Sequence, residues 1–343
     1  MKRAIQLGAN ALGTAAPNPM VGAVVVYEDS ILGEGYTSPY GGPHAEVNAI
    51  RSVQEKELLP KASLYVTLEP CSHYGKTPPC TDLILKYAIP KVFIGIGDPH
   101  EKVGGKGIKK LKEAGCTVQL GILEDNCREH HRRFLCVHEK KRPYIILKWA
   151  QSPDGFLAPE KIARSGVPQP FWISNKRSRQ LVHQWRCQED AILVGSNTVL
   201  YDNPRLNTRY WKGKSPLRVV LDKNLAIKGD YHVLDNSERT LIITGIGDHE
   251  RNREDLAYEF LDFENPIAEQ LCGLLMKYGI SSLIVEGGEQ TLRTFIDEGL
   301  WDEARIFSGA TALGKGLKAP QISGKQVHFR HIGDNTLTIL RHG

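Results

Sequence analysis

Three short stretches combine residue types that can hold a metal ion and move a proton. They are His44-Ala45-Glu46, Glu69-Pro70-Cys71 and Pro79-Cys80. Zinc prefers imidazole and thiolate ligands, and a catalytic zinc keeps three protein ligands so that a fourth position can hold water. We therefore predict His44, Cys71 and Cys80 as the metal ligands. Glu46 is the candidate catalytic residue, because an activated water needs a group that carries its proton to the leaving nitrogen.

The order of these stretches is more informative than any one of them. A His-x-Glu pair followed by Pro-Cys is the signature of zinc deaminases that act on nucleobases. A second group of possible ligands comprises Cys127, His130, His131, Cys136 and His138. Its helical apolar spacing and many charges favour a solvated helix over a metal site. If the zinc were purely structural, it would need a fourth protein ligand, for which His73 is the candidate.

The elements around the predicted metal site alternate between strands and helices. Strands are predicted over 21–27, 31–36, 62–68 and 91–96, the first two as a hairpin, with a helix over 107–114 and a strand from Thr117. The turn at residues 41–43 leads into a helix that places His44 and Glu46 at its N-terminus. There the helix dipole should favour anionic Glu46, and a second helix should lower the pKa of Cys80. The pattern indicates an α/β sheet with both faces covered.

Length and composition set further bounds. A chain of 343 residues exceeds the usual size of one core, and the charged stretch before Pro143 predicts domains at 1–141 and 142–343. The net charge of +5 is spread evenly between these halves, which argues against a nucleic-acid binder. Seven cysteines, an odd and sparse set, favour reduced thiols. The absence of a long apolar run or signal segment predicts a cytoplasmic protein.

The second half contains a different kind of candidate site. Strands are predicted over 144–149, 191–195, 218–221, 241–244, 282–286 and 304–307, with a helix ending near Arg186. The strand that ends at Glu286 runs through Gly287 and Gly288 into a helix. Backbone N–H groups at such a turn can approach a phosphate. The turn lacks the G-x-G-x-x-G pattern of dinucleotide-binding folds, so by itself it is also typical of an ordinary strand-to-helix connection.

Longer stretches narrow the assignment. Eight residues separate Cys71 from Cys80, whereas generic base deaminases have two between their cysteines. The stretches 17–22 (PNPMVG), 42–47 (GPHAEV) and 69–80 (EPCSHYGKTPPC) resemble the deaminase half of the bifunctional riboflavin-biosynthesis deaminase/reductase family. Asp98-Pro99 and 105–107 (GKG) fit the same family. The stretches 147–150 (LKWA) and 195–206 (GSNTVLYDNPRL), with Arg209, resemble its reductase half.

This resemblance implies an α/β fold and a set of binding residues. Two three-layer α/β domains are expected, the first cytidine-deaminase-like and the second dihydrofolate-reductase-like and dependent on NADPH. The implied cofactor-binding residues are Ala150, Trp172, Thr198, Asp202, Gly288, Glu289, Gln290, Thr291, Leu292, Arg293 and Thr294. The implied substrate-binding residues are Asn18 and Lys76 in the first half and Arg186, Leu206, Arg209 and Glu286 in the second, with Lys148 or Glu286 as the group that polarises the sugar. The arginines would bind a ribose phosphate by paired hydrogen bonds.

The sequence also departs from the family at three positions. Relatives often have histidine at Thr37, serine at Pro170 and serine at Lys223. These differences affect one wall of the deaminase pocket and two side-chain contacts in the reductase half. Proline offers only its carbonyl there, whereas Lys223 can still reach a phosphate.

The expected function is a zinc hydrolase joined to an NADP-dependent oxidoreductase in riboflavin biosynthesis. The first half would deaminate 2,5-diamino-6-(5-phosphoribosylamino)pyrimidin-4(3H)-one, and the second would use NADPH to reduce the ribosyl group of the product to ribityl. The expected partners are small phosphorylated pyrimidines, without nucleic acid or membrane, in a homo-oligomer. A polynucleotide deaminase acting on tRNA or single-stranded DNA is the alternative; it would need a basic channel with stacking aromatics.

Overall fold

The computed structural model describes residues 1–74, 78–99, 104–160, 168–247 and 252–343. The chain divides into two compact units, Met1–Arg142 and Pro143–Gly343. We call them the N-terminal unit and the C-terminal unit. In the described part of the chain, no helix is both long enough and apolar enough to cross a membrane.

The N-terminal unit is built on one sheet with the strand order β2-β1-β3-β4-β5. Its strands are β1 (Gly22–Tyr27), β2 (Ser30–Tyr36), β3 (Ser63–Leu68), β4 (Lys91–Ile96) and β5 (Thr117–Leu120). Its helices are α1 (Lys2–Gly8), α2 (Ala45–Ser52), α3 (Cys80–Lys86), α4 (Lys106–Glu113), α5 (Glu124–His130) and α6 (Arg132–Leu135). Short 3₁₀ segments cover Ala9–Ala11 and Lys56–Lys61, and a π-helical turn covers Cys136–Lys140.

Strand pairing in this unit explains where its functional side chains lie. The β1–β2 hairpin is antiparallel, and β3, β4 and β5 run parallel to one another. Val66 and Thr67, which lie on opposite faces of β3, are both fully buried. Strands of parallel sheets are typically covered on both faces in this way. The carboxyl ends of β3 and β4 therefore meet at one edge of the sheet, where the chain continues to Cys71 and Asp98.

The predicted solvated helix after residue 123 differs from the structure. The helical pattern is split between α5 and α6, and Cys127, His130 and His131 are buried. The His131 imidazole hydrogen-bonds Thr67 of β3 at 2.9 Å. The solvated-helix prediction is wrong for this face, because many charges on one side of a helix do not show what the other side packs against. Within the described residues, this Cys/His group does not form a metal-holding cluster.

The C-terminal unit is built on a larger mixed sheet with the order β11-β10-β9-β8-β12-β6-β13-β16-β15. Its strands are β6 (Tyr144–Gln151), β7 (Phe156–Ala158), β8 (Ala191–Gly195), β9 (Leu217–Leu221), β10 (Thr240–Thr244), β11 (Leu256–Phe260), β12 (Ser282–Val285), β13 (Glu303–Ser308), β14 (Leu317–Lys318), β15 (Lys325–Ile332) and β16 (Asn335–Arg341). Its helices are α7 (Lys176–Gln188), α8 (Ser196–Asp202), α9 (Ile267–Lys277) and α10 (Glu289–Asp297). β7 and β14 form a separate small ribbon.

The centre of this sheet positions the second site. β12 lies between β8 and β6 and is parallel to both. The chain leaves β8 into α8 and leaves β12 into α10, so two strand-to-helix turns lie side by side at one sheet edge. Parallel sheets bind ligands at the carboxyl ends of their strands. The sequence predicts this sheet centre well, whereas it does not predict β7, β11 and β14 to β16.

Candidate active sites

His44, Cys71 and Cys80 form a compact cluster in the N-terminal unit. Their ligand atoms all lie within 4.8 Å of one another. The His44 Nδ1 atom is 3.6 Å from the Cys71 Sγ and 3.3 Å from the Cys80 Sγ. His44 directly precedes α2, and Cys80 is the first residue of α3. The structure thus brings together all three residues predicted as metal ligands.

The donor set fits zinc in chemistry and spacing. Typical Zn–S and Zn–N bonds place neighbouring ligand atoms roughly 3.5 Å apart in a tetrahedron. The distances from His44 to both cysteines agree with that spacing. Among the described residues, His73 is not part of the cluster; its side chain is exposed. Three protein ligands are typical of a catalytic site, whereas a structural zinc usually has four.

Glu46 lies in the first turn of α2 and is almost completely buried. Burial raises the pKa of the Glu46 carboxyl to about 7. The predicted placement at the helix N-terminus is confirmed, and a backbone hydrogen bond there favours the anion, but desolvation is the larger effect and gives a raised pKa. A carboxyl group that titrates near neutral pH can both accept and donate a proton. That property suits a group that moves a proton between water and a leaving nitrogen.

The two cysteines share a hydrogen bond that separates their acidities. It lowers the pKa of Cys71 to about 4 and raises the pKa of Cys80 well above its usual range. The helix dipole that is predicted to lower the pKa of Cys80 is opposed here by the hydrogen bond with Cys71 and by burial. Cys71 also accepts the backbone N–H of Cys80 at 3.3 Å. The Cys71 thiolate, the metal-binding form, is thus stabilised by the fold itself.

The predicted substrate contacts of this unit have different outcomes. Asn18 is half-buried in the segment before β1. Thr37 fixes this segment, because its hydroxyl donates to the Pro19 carbonyl at 2.9 Å and accepts the Val21 N–H at 3.0 Å. Thr37, one of the three expected departures from the family, therefore has a structural role here. Lys76 lies outside the described residues.

The C-terminal unit contains a cavity of about 940 Å³ at the carboxyl ends of β6, β8 and β12. Every predicted cofactor residue except Arg293 lines it, as do all five predicted substrate residues of this half: Lys148, Arg186, Leu206, Arg209 and Glu286. Arg293 is exposed and pairs with Glu289 at 2.9 Å. A cavity of this size can hold a dinucleotide cofactor together with part of a substrate.

A buried ion cluster lies in the wall of this cavity. Arg186 donates to both carboxylate oxygens of Glu286, at 3.0 and 2.7 Å, and its third nitrogen donates to the Asn207 carbonyl at 3.1 Å. Lys148 Nζ lies 3.7 Å from the same carboxylate. The neighbouring cations outweigh burial and lower the pKa of Glu286 to about 2, whereas burial lowers the pKa of Lys148. Glu286 is therefore anionic.

Arg186, predicted to bind the substrate, is hydrogen-bonded to protein groups in this structure. Each of its three nitrogens has a protein acceptor, and its predicted contact with the phosphate stays a prediction. Arg209 remains exposed, hydrogen-bonds Asn207 at 2.9 Å and stacks on Tyr210. Its backbone N–H donates to the His183 imidazole at 3.2 Å. Sequence spacing could not show that Arg186 pairs with a glutamate 100 residues away.

Two glycines make room between the adjacent strand-to-helix turns. Gly288 directly precedes α10, and the peptide between Gly287 and Gly288 is cis. A Cβ at Gly195 would lie 2.6 Å from the Thr291 hydroxyl, and one at Gly288 would lie 3.4 Å from the Thr198 hydroxyl. Glycine at position 195 therefore lets the start of α10 pack closely against the end of β8, and the backbone N–H groups at the N-terminus of α10 can bind a phosphate. The arrangement fits the diphosphate of NADPH.

The sequence does not indicate several other lining residues. Phe171, Asn197 and Phe263 line the cavity from separate segments. Lys223 and Pro170, the two expected departures from the family in this half, also line it, and Lys223 pairs with the exposed Glu264 at 2.8 Å. These contributions depend on how distant loops converge, which local patterns do not encode.

Comparison with known proteins agrees with both sites. A family model described as the cytidine and deoxycytidylate deaminase zinc-binding region matches residues 1–96, and one described as the RibD C-terminal domain matches residues 143–338. The riboflavin biosynthesis protein RibD of Aquifex aeolicus is 39% identical over 92% of this chain and 88% of its own length. RibD of Bacillus amyloliquefaciens is also 39% identical, over 95% of this chain and 87% of its own.

The chain belongs to the RibD family. A solved deaminase/reductase of this kind from Thermotoga maritima superposes with a TM-score of 0.89 at 35% identity, covering 100% of this chain and 97% of that one. RibD of Acinetobacter baumannii superposes equally well, at 31% identity. As a RibD protein, this chain is a bifunctional deaminase and reductase of riboflavin biosynthesis. Its cofactors are zinc and NADPH.

Proposed function

We propose that the N-terminal unit deaminates 2,5-diamino-6-(5-phosphoribosylamino)pyrimidin-4(3H)-one and that the C-terminal unit reduces the resulting 5-amino-6-(5-phosphoribosylamino)uracil. The observation that carries the first assignment is the cluster of His44, Cys71 and Cys80 beside the buried carboxyl of Glu46. The similar protein from Thermotoga maritima is a diaminohydroxyphosphoribosylaminopyrimidine deaminase and 5-amino-6-(5-phosphoribosylamino)uracil reductase, which supports the same pair of substrates here.

In the deaminase, His44, Cys71 and Cys80 hold the zinc. When bound, zinc supplies an activated water as the nucleophile. Glu46 takes a proton from that water and delivers it to the amino nitrogen. The new C–O bond forms at the amino-bearing carbon, the C–N bond breaks, and ammonia leaves. Burial helps this step, because the pKa of about 7 lets Glu46 change its protonation state without a large free-energy cost.

In the reductase, the glycine turns and α10 would hold NADPH, which would supply the hydride for reduction at C1′ of the ribosyl group. Glu286 and Lys148 contact the sugar and polarise it. Arg186 keeps Glu286 anionic and fixes its position through two hydrogen bonds. Arg209, whose guanidinium is exposed at the cavity, binds the 5-phosphate. The ring opens as its oxygen gains a proton from water, which leaves a ribityl chain.

The test of the deaminase site is Glu46→Gln. The amide preserves the size of the side chain but cannot carry the proton, so ammonia release should fall by about a thousandfold while bound zinc remains at the wild-type level. Metal analysis and an ammonia assay measure both quantities on one sample. A zinc-loaded Glu46→Gln protein that releases ammonia at the wild-type rate would exclude this role for Glu46.

We propose small pyrimidines as the substrates in preference to tRNA or single-stranded DNA. The even charge distribution supports this choice, since a polynucleotide channel needs concentrated positive charge and stacking aromatics. Titration with a labelled single-stranded oligonucleotide at low salt should give no tight binding. Tight, salt-sensitive binding would favour the polynucleotide deaminase.

We also propose that the chain forms a homo-oligomer. β15 is the edge strand of the larger sheet, and its Val327 and Phe329 are 47% and 51% exposed. An edge strand with exposed apolar side chains favours pairing with another copy. Light scattering should give a mass above that of one chain, and a monomer mass at all concentrations tested would contradict the proposal.

A further inference from the structure

A second glutamate of the N-terminal unit, Glu69, has no role in the proton transfer described above. It follows β3 and is only 4% exposed. From the described residues, its carboxylate accepts four backbone N–H groups: those of Asp98 at 3.2 Å, Gly105 at 3.0 Å, Gly107 at 2.9 Å and Ile108 at 3.1 Å. A buried carboxylate with this many donors is firmly held, because each bond to a charged acceptor is stronger than a neutral one.

These donors belong to the end of one strand and the start of one helix. Asp98 follows β4, and Gly105 directly precedes α4. The Glu69 Oε2 atom accepts from both of them, so one oxygen joins the two elements. The other oxygen accepts from Gly107 and Ile108, in the first turn of α4. We call Asp98 together with residues 105–108 the β4–α4 edge, and Glu69 determines how it is placed against the end of β3.

The packing at this point is close as well as polar. A Cβ at Gly107 would lie 2.1 Å from the Pro70 carbonyl oxygen and 3.1 Å from the Glu69 Oε1. The start of α4 thus contacts the residue directly before the ligand Cys71. Cys71 itself is held independently, since its carbonyl accepts the Thr81 N–H at 3.1 Å and its thiolate accepts the Cys80 N–H. The metal ligands and the β4–α4 edge therefore depend on different hydrogen bonds.

The position of the β4–α4 edge suggests what it does. β3 and β4 are parallel neighbours, with Leu68 paired to Ile96 at their carboxyl ends. The metal cluster follows the end of β3, and the β4–α4 edge begins at the end of β4. Substrates of α/β sheets bind at the carboxyl ends of the strands. A substrate whose amino-bearing carbon is at the metal would therefore extend along the β4–α4 edge.

We propose that Glu69 is a positioning residue that fixes the β4–α4 edge as a wall of the deaminase pocket, and so contributes to binding of the phosphoribosyl-pyrimidine. This role rests on the proposed deaminase site. Glu69 contacts neither zinc nor the reacting atoms. Its effect is on how tightly the pyrimidine binds, while the chemical step remains with the metal ligands and Glu46.

The test is Glu69→Gln in the full-length, zinc-loaded protein. An amide keeps one acceptor oxygen but turns an NH₂ group toward two of the backbone donors, so one pair of hydrogen bonds is lost. The KM for the diaminopyrimidine phosphate should rise about tenfold while kcat changes less than about twofold. Bound zinc and the reductase rate of the same chain should remain unchanged. The matched control is Glu113→Gln, an exposed glutamate of α4 that pairs with Lys109 at 3.8 Å; its KM should equal that of the wild type.

A purely structural Glu69 would give a different result. A Glu69→Gln protein with a lower melting temperature but unchanged KM would overturn the proposal. If the wild-type protein itself releases no ammonia, the proposed deaminase function fails. If the wild-type protein releases ammonia and Glu69→Gln has the same KM, only the proposed role of Glu69 fails.

If Glu69→Gln does not retain zinc, Gly107→Ala is the variant that tests the proposal. That change keeps the chemical groups of Glu69 and of the metal ligands but forces the start of α4 away from Pro70 and Glu69, because the new Cβ would overlap the Pro70 carbonyl and crowd the Glu69 carboxylate. It should raise the KM about as much as Glu69→Gln does, with zinc retained. An unchanged KM in zinc-loaded Gly107→Ala protein would overturn the proposal.

Discussion

The metal cluster and the cofactor cavity differ in how the chain assembles them. The three ligands lie between residues 44 and 80, at the starts of two helices and the end of one strand. The cavity takes residues from Lys148 to Leu317. In the cluster, burial raises the pKa of the Glu46 carboxyl, and a shared hydrogen bond lowers the pKa of the Cys71 thiol and raises that of Cys80. In the cavity, opposite charges are paired, and glycines provide space. The first site depends on a few reactive atoms, and the second on shape and paired charge.

Because of this difference, we expect the replacement of a single ligand atom in the metal cluster to cause the largest loss of activity. Cys71→Ser replaces a thiolate ligand with a hydroxyl, which is a poor zinc ligand. We expect loss of bound zinc and a decrease in ammonia release of at least about a thousandfold. The reductase rate with the deaminated product should remain at the wild-type level. Metal analysis, ammonia release and NADPH absorbance give the three readouts.

The control for this change is Cys116→Ser, at a half-buried thiol that donates to the Ile89 carbonyl outside the cluster. It should retain zinc and both activities. If Cys71→Ser retains zinc and deaminates normally, the cluster is not the catalytic metal site.

The cavity should respond most strongly to a broken charge pair. Glu286→Gln leaves Arg186 and Lys148 as buried cations without their counter-ion, which is costly in a poorly solvated wall. The reductase kcat/KM should fall roughly a hundredfold or more, with ammonia release unchanged. NADPH oxidation with the deaminated product measures the effect. Glu254→Gln, at an exposed glutamate of the same unit, is the control, and a wild-type reductase rate in Glu286→Gln would contradict the proposed role of the pair.

A smaller effect on reductase activity is expected at Gly195, where the absence of a side chain allows close packing. Gly195→Ala adds a Cβ that would lie 2.6 Å from the Thr291 hydroxyl, so the start of α10 must shift. The KM for NADPH should rise about tenfold, since a displacement of the phosphate-binding turn weakens contacts that depend on alignment. Gly273→Ala in α9 is the matched control, because its Cβ meets no atom within 4 Å. Equal NADPH KM values for the two variants would mean that this turn does not bind the cofactor.

The smallest expected effect is a pH dependence of the C-terminal unit. Burial, and then the nearby arginines, lower the pKa of His183 from 6.5 to about 4. The unfolded chain therefore binds a proton that the folded chain does not, and the stability contributed by neutral His183 is lost as the pH falls from about 6.5 to about 4. His183→Asn should reduce this pH slope, since an amide oxygen can accept the Arg209 N–H without titrating.

All five tryptophans lie beyond residue 142, so their fluorescence during urea unfolding reports this unit alone. His328→Asn, on the exposed strand β15, should keep the wild-type slope. Identical slopes for the wild type and His183→Asn would contradict the role of His183.

The two sites also differ in how far the sequence predicts them. His44, Glu46, Cys71 and Cys80 are predictable because their spacing is local and each residue type has one prominent chemical use. The central strands of both sheets are predictable because parallel strands need continuous apolar runs. The sequence does not predict β15, because most of its side chains are exposed and show no apolar pattern. It does not predict the buried face of α5 either, because the charged residues of that helix dominate its sequence pattern.

The sequence does not predict which distant residues pair with one another. Nothing in the local sequence indicates that Arg186 pairs with Glu286, or that Glu69 accepts N–H groups from Asp98 and the start of α4. The raised pKa of Glu46 is hidden as well, because a helix N-terminus predicts the opposite shift and only the fold shows the burial. Electrostatic properties follow from three-dimensional surroundings, so sequence alone gives the residue but not its state.

The central claim is that one chain carries out the two reactions in sequence at two separate sites. The most direct measurement supplies the diaminopyrimidine phosphate to the zinc-loaded protein, with and without NADPH, and identifies the products by mass. Without NADPH, we expect one product in which an amino group is replaced by oxygen. With NADPH, that product should gain two hydrogens on its sugar part. A reduced product that still carries the amino group, or an unchanged substrate in both reactions, would contradict the claim.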